Sequence, residues 1–331
     1  MKDQKNTPIK VIPFTLEQSK DMVSDKVMGF SSEGSELVFR VFAPRALSVI
    51  IAFFKEIESP AIAQYTMTRD EDGVWEYRSE KELWGNYYGY YVKGPKGKGE
   101  AFDASVLIAD PYAKVVATKN NYKHPALGLI LKDDFEWEGD TWVATEDPRD
   151  LIIYETHLRD LTAHPSSGVD HPGSYLGLTE KGKAGGLSHL KKIGINAVEF
   201  LPLHEFGNIE IPWQIEAEGI VNTWNPYARN HWGYMTSYFF APENYYASEG
   251  TIEANKWNGI QGQQVSELKE LVKTLHSENI AVILDVVYNH VSQYDQNPLK
   301  YLDKKYYFRL DKKYNYLSVS GCGNDYNTEA P

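Results

Sequence analysis

The chain has 331 residues, enough for about two domains of ordinary size, and its 42% apolar content suffices for buried cores. A formal net charge of −12, from 46 acidic against 34 basic residues, argues against a polyanion such as nucleic acid as the main partner and favours a neutral ligand. A single cysteine, Cys322, excludes an internal disulfide and fits a reducing compartment.

The opening residues MKDQKNTPIKVIPFTLEQ hold no apolar run long enough for a secretion signal or a membrane span, so no membrane partner is expected and cytoplasm is the expected compartment. From Leu37 to Phe54 the text LVFRVFAPRALSVIIAFF reads as two β-branched and aromatic runs divided by the turn formers Ala43, Pro44 and Arg45. Tyr65 to Thr68 is a third run. The turn Asp70 to Gly73 leads into Val74 to Arg78, and Leu83 to Val92 adds another strand. Short strands between turn signals predict a small all-β sandwich over residues 1–110. Its rings, Trp75 and Trp84 among them, suit either a carbohydrate face or simple core packing. Residues 111–150, rich in Lys, Asp, Glu and Trp, read as an irregular packed linker.

Residues 151–331 read as an α/β unit. Leu151 to Tyr154 form a short buried strand whose end carries Glu155, His157, Arg159 and Asp160. Leu187 to Ile193 make a helix stopped by Gly194, and Ala197 to Leu201 a second strand closed by Pro202. After a long loop from Leu203 to about Gln261, Val265, Leu268, Leu271, Val272 and Leu275 share one face of a helix. The run from Ala281 to Val287, apolar except for Asp285, has no helical or alternating period and predicts a strand covered on both faces. Strand, helix, strand, helix, strand with long crossovers predicts a parallel sheet, whose carboxyl ends carry the chemistry. Asp285, Tyr288, Asn289 and His290 stand there.

Five stretches, YETHLRD (154–160), NAVEFLP (196–202), HWGYM (231–235), DVVYNH (285–290) and SGCGND (320–325), together resemble the α-amylase clan of glycoside hydrolases, closest to its pullulanase and isoamylase debranching branch. RVFAP (40–44), GVWEY (73–77) and YYGYYV (87–92) likewise resemble the accessory sandwich, a carbohydrate-binding-module-like domain, that precedes the barrel in such enzymes. Met235 and Thr236 after the Trp-Gly-Tyr are closer to the isoamylase pattern than to the aspartate and proline usual in pullulanases. The resemblance implies an N-terminal all-β sandwich followed by the first part of a (β/α)8 TIM barrel. The implied activity is retaining cleavage of α-1,6 glucosidic branches, with branched α-glucan (glycogen, starch or pullulan) as partner. An α-1,4-glucan hydrolase or branching enzyme of the same clan, and a non-catalytic glucan-binding protein, stand as alternatives.

By the same resemblance His290 is the transition-state stabiliser, donating to a sugar hydroxyl beside the cleaved bond, and Tyr234 is the stacking platform beneath that sugar. Asp285 reads as a paired structural carboxylate, or else a substrate contact, because a charge within an apolar strand needs a partner. Asn289 orients a loop or touches substrate, and Trp224, Tyr227 and Trp232 are rim candidates. Glu155, His157 and Glu199 are expected to serve the barrel framework. No oxygen cage for calcium is legible, so neither metal nor cofactor is expected. A retaining glycosidase needs two carboxylates about 5 Å apart; no Gly-Phe-Arg-Phe-Asp stretch occurs, and the expectation is a fragment that precedes both and is inactive alone.

Overall fold

The computed structural model describes residues 12–330 except 81, 144, 146, 210–213, 215, 217–220, 222, 224–228 and 292–296. After a short capped helix α1 (Leu16–Ser19), strands β1 (Gly29–Glu33), β2 (Glu36–Phe42), β3 (Ser48–Phe54), β4 (Ala63–Thr66), β5 (Thr68–Arg69), β6 (Val74–Ser79), β7 (Tyr87–Lys93) and β8 (Leu107–Ile108) follow in order. They build the two antiparallel sheets of a sandwich, one of them ordered β1-β2-β6-β5. On β2 the inward residues Leu37, Phe39 and Val41 enter the main core, where Phe39 meets Phe53 at 5.3 Å and Tyr88 at 5.0 Å, both edge-on. The opposite face of β2 carries Arg40, held by Glu33 and Glu76 at 2.6 Å each, so the whole strand is covered and shows no polar alternation. Trp75 lies in this core with its indole N–H donating to Ala43 O at 2.8 Å, a packing role; Trp84 is half-buried, edge-on to Phe30. The turn before β6 needs glycine at position 73. Its φ is +83°, and a Cβ would stand 2.8 Å from Pro44 Cβ.

The expected irregular linker is in part strand. β9 (Val116–Lys119) and β10 (Ala126–Leu129) extend the second sheet, and beyond β9 an edge strand, β15 (Trp257–Asn258), comes from the long loop of the α/β part. That sheet runs β15-β9-β10-β7-β3-β4 with β8 beside β7. Runs of four residues or fewer, broken by Lys, Asn and His, carry too little period to be seen, and the pairing with distant strands decides them.

The α/β part contains β11 (Ile153–Thr156), β12 (Ala197–Phe200) and β16 (Ala281–Leu284), paired in parallel with Tyr154, Val198 and Val282 in one row and Glu155, Glu199 and Ile283 in the next. Around them lie α2 (Tyr175–Thr179), α3 (Leu187–Ile193), α4 (Gln263–Ser277) and the hairpin of β13 (His204–Phe206) with β14 (Thr236–Pro242). Gly194 ends α3 in the left-handed conformation at φ +77°. Two expectations of burial fail. Ile152 and Ile153 are exposed, and β16, expected to be covered on both faces, is half-buried with Leu284 exposed. Both strands lie at the edges of this three-stranded sheet, while the central β12 buries Ala197, Val198 and Phe200 completely. The strand also stops at Leu284, leaving Val286 and Val287 outside the ladder.

α5 (Pro298–Tyr307) closes back onto the sandwich: Val291, Leu299, Leu302 and Phe308 belong to its core. There Arg45, buried, reaches both carboxylate oxygens of Asp303 at 2.7 and 2.8 Å and Glu100 at 2.7 Å. Among the described residues no helix is long and apolar enough to cross a membrane.

Candidate active site

The carboxyl end of β16 gathers four of the five sequence motifs. Asp285 follows the strand directly, its N–H bonded to Phe200 O at 3.0 Å, so the tip of β12 fixes its direction. The Tyr234 hydroxyl donates to Asp285 Oδ2 at 2.6 Å. Partial burial, then that contact and the neighbouring carboxylates of Glu155 and Glu199, push the Tyr234 phenol up to about 12, so it stays a donor at every physiological pH. Tyr234 remains 38% exposed, a ring anchored at its polar tip with an accessible flank. Asp285 is therefore a paired carboxylate, one of the two roles read for it.

Gly233 explains how the loop reaches this place: its φ is +78°, and a Cβ would lie 2.7 Å from the Phe206 ring on β13. Any other residue here is strained in its backbone and crowds the Phe206 ring.

His290 and Tyr234 come together. The His290 ring, 4% exposed, hydrogen-bonds to the Tyr234 main chain and lies 3.1 Å from Asn289 Oδ1 through Nδ1. Burial holds it below the ordinary histidine value, against the pull of Asp325 and of that hydrogen bond, which leaves it neutral at neutral pH. Asn289 and Tyr288 are exposed; Tyr288 stacks on Phe239 at 5.7 Å. The SGCGND segment wraps the same strand end: Asp325 bridges to His290 in antiparallel fashion, the Tyr326 N–H donates to Asn289 O at 3.0 Å, and the Asn324 amide donates to Val291 O. Asp325 is itself held by the N–H groups of Val319 and Ser320 at 2.6 and 2.9 Å. Trp232 is 57% exposed on the rim. Trp224 and Tyr227 lie outside the described residues.

Two groupings went unseen in the sequence. His157, expected to serve the framework, is buried and stacks on His231 at 4.2 Å. Behind the Tyr234 loop, Glu205 is fully buried, accepting from Thr118 Oγ1 and the Asn244 N–H at 2.9 Å each, and burial pushes it up to about 8. Glu243 beside it is raised further by burial and by Glu205. The available signal was the charge inside otherwise apolar text at Phe200 to Phe206 and Phe239 to Tyr246.

Residues 27–113 match carbohydrate-binding module 48, described as the isoamylase N-terminal domain. The chain is 34% identical to the chloroplastic isoamylase 3 of Oryza sativa subsp. japonica over 92% of its own length and 40% of the relative's. It is 32% identical to the pullulanase of Bacillus subtilis (strain 168) over 92% and 39%. Among solved structures, the pullulanase from Paenibacillus barengoltzii in complex with maltohexaose and alpha-cyclodextrin superposes with a TM-score of 0.77 at 27% identity, covering 96% of this chain and 46% of that one. The Bacillus subtilis type I pullulanase complexed with maltose gives 0.72 at 30%, covering 96% and 40%. The chain thus spans about two fifths of the length of the curated relatives it matches. With that module, those relatives and the strand-end motifs brought together in one place, the chain is similar over nearly its whole length to part of the isoamylases and pullulanases, and its residues 27–113 belong to the module family of the isoamylase N-terminal domain.

Proposed function

We propose that this chain is part of an α-glucan debranching hydrolase that cleaves α-1,6 branches of glycogen, starch or pullulan with retention, and that its three-stranded parallel sheet opens a (β/α)8 barrel. The proposed organisation is a sandwich module over 1–110, a connecting segment over 111–150 and barrel units over 151–331, with cytoplasm as compartment; the rice and Arabidopsis relatives are named chloroplastic. One observation carries the reading: Tyr234, Asp285 and His290 converge at the carboxyl end of β16, where a barrel builds its active site.

In the proposed reaction the flank of Tyr234 lies under the sugar that reacts, its ring complementing the pyranose C–H groups and excluding water. Asp285 holds that ring in place through the hydroxyl. Asn289, exposed, gives way to a sugar hydroxyl and so frees Nδ1 of His290. The one N–H of the neutral imidazole, held by the Tyr234 main chain before substrate arrives, is then exchanged to that hydroxyl as positive charge develops at the anomeric carbon, an interaction that strengthens in the transition state. Trp232 extends the aromatic surface along the glucan. The nucleophile and acid/base carboxylates are not assigned to any residue of this chain.

The test is product analysis with the intact gene product. Release of linear chains from glycogen or cleavage of pullulan, with amylose left intact, supports the reading. Cleavage of amylose alone, or retention on glycogen without hydrolysis, overturns it.

A further inference from the structure

His157, at the end of β11, lies against the loop that carries Tyr234. Its Nε2 is 2.8 Å from the carbonyl oxygen of His231 and 3.1 Å from the Tyr246 hydroxyl. A carbonyl only accepts, so Nε2 carries the proton and the lone pair is on Nδ1. That Nδ1 is buried and has no hydrogen-bond partner. In the neutral ring it faces Asp160 Oδ1 at 3.7 Å, an acceptor opposite an acceptor. His231 Nε2 stands 3.4 Å from the same carboxylate oxygen, and the three groups offer ligand atoms all within 4.8 Å of one another.

We propose that His157 Nδ1, His231 Nε2 and the Asp160 carboxylate bind a divalent transition-metal ion of the zinc type. Ligand bonds of about 2.0–2.1 Å in a tetrahedral site set donor atoms roughly 3.3 Å apart, close to the two spacings to Asp160 Oδ1 already present. Two imidazoles and one carboxylate are a nitrogen-rich set that suits zinc better than calcium or magnesium. The bond from His157 Nε2–H to a carbonyl is the outer contact that orients a metal-ligating histidine. An ion placed among the three removes the opposition of two acceptors. It has to lie in the plane of each imidazole, so binding turns the His231 ring out of its stack on His157; that side chain is 48% exposed and has room to move. The fourth position opens into an adjoining cavity of about 350 Å³ lined by Asp160, His231, Asn230 and Tyr246, where water completes the shell. The neighbouring Arg159 guanidinium is already engaged, donating to Gly173 O at 2.8 Å and lying over the Tyr245 ring. The ion would tie the HWGY loop to the end of β11. The inference stands on these three residues alone and is independent of the debranching assignment.

The test uses Co²⁺ and Zn²⁺ with the intact gene product and the variants His231→Asn and Asp160→Asn, which alter half-exposed or exposed groups and leave the core alone. The expected result is one more metal equivalent per chain in the unaltered protein than in either variant, or affinity at that site weakened at least about tenfold. Cobalt absorption in the visible should be gained by the unaltered protein only. Equal uptake and equal affinity in all three proteins, each folded by circular dichroism, overturns the proposal, as does absence of uptake by the unaltered protein.

Discussion

The hydroxyl of Tyr234 donates to Asp285 Oδ2 at 2.6 Å, joining a loop residue to one 51 positions further on at the tip of β16. Neither partner is deeply buried, and the bond serves orientation more than stability. Tyr234→Phe in the intact gene product should cost about 1 kcal/mol in urea unfolding, the scale of a partly solvated hydrogen bond. If the ring is the platform, that variant keeps kcat/KM on branched glucan within about threefold, while Tyr234→Ala loses about tenfold or more. Equal losses in both variants would show that the hydroxyl, not the ring, matters.

His290 touches the Tyr234 main chain and the Asn289 amide, so truncating it tests chemistry and architecture together. His290→Asn is expected to lower kcat on branched glucan about 10²-fold with little change in KM, as for loss of a donor made effective in the transition state. A fall in melting temperature with kcat unaltered would assign the ring a structural role only.

Arg45 is the pin between the sandwich and α5. Replacing it by methionine strands Asp303, fully buried, and Glu100 without their shared cation, although Lys305 still reaches Glu100 at 2.8 Å. The expected loss is about 3–5 kcal/mol. Adding Asp303→Asn should recover part of it, because the uncompensated charge is then gone. Equilibrium denaturation of the single and double variants measures both terms.

Asp110 gives the sandwich a pH signature. It is completely buried, accepts from Tyr88 Oη at 2.9 Å, Tyr90 Oη at 3.2 Å and the Tyr112 N–H at 2.9 Å, and burial pushes it up to about 6 from an ordinary value of 3.8. The folded protein holds this proton more tightly than the unfolded chain. Its contribution to stability is thus fully present below about pH 3.8, falls as pH rises through about 6, and is constant above that. Asp110→Asn should remove this step from the stability profile between pH 4 and 7. An unaltered profile in the variant would place the titration elsewhere.

Much of the chain was legible before any coordinates. The sandwich strands from Leu37 onward, α3 with its Gly194 stop, α4 and the order of the three parallel strands follow from period and turn residues, since these depend on neighbours within about a dozen positions. The pairing expected for Asp285 was legible too, because an apolar run tolerates a charge only with a partner. The partner's identity was not.

Tertiary structure alone decided three things. Edge or centre in the sheet decided which apolar strands are buried: β12 and β16 read alike as text, yet only the central one is covered. Pairing across large separations made strands of residues 116–119, 126–129 and 257–258, whose own text is nearly silent. Chain folding also laid the HWGY loop against the ends of β11 and β16, where it sets Tyr234 on Asp285 and His231 on His157. The sequence determined which side chains were available and which local elements they form, because propensity and period act between near neighbours. Which of them share a surface was left to packing, which acts between residues dozens to hundreds of positions apart.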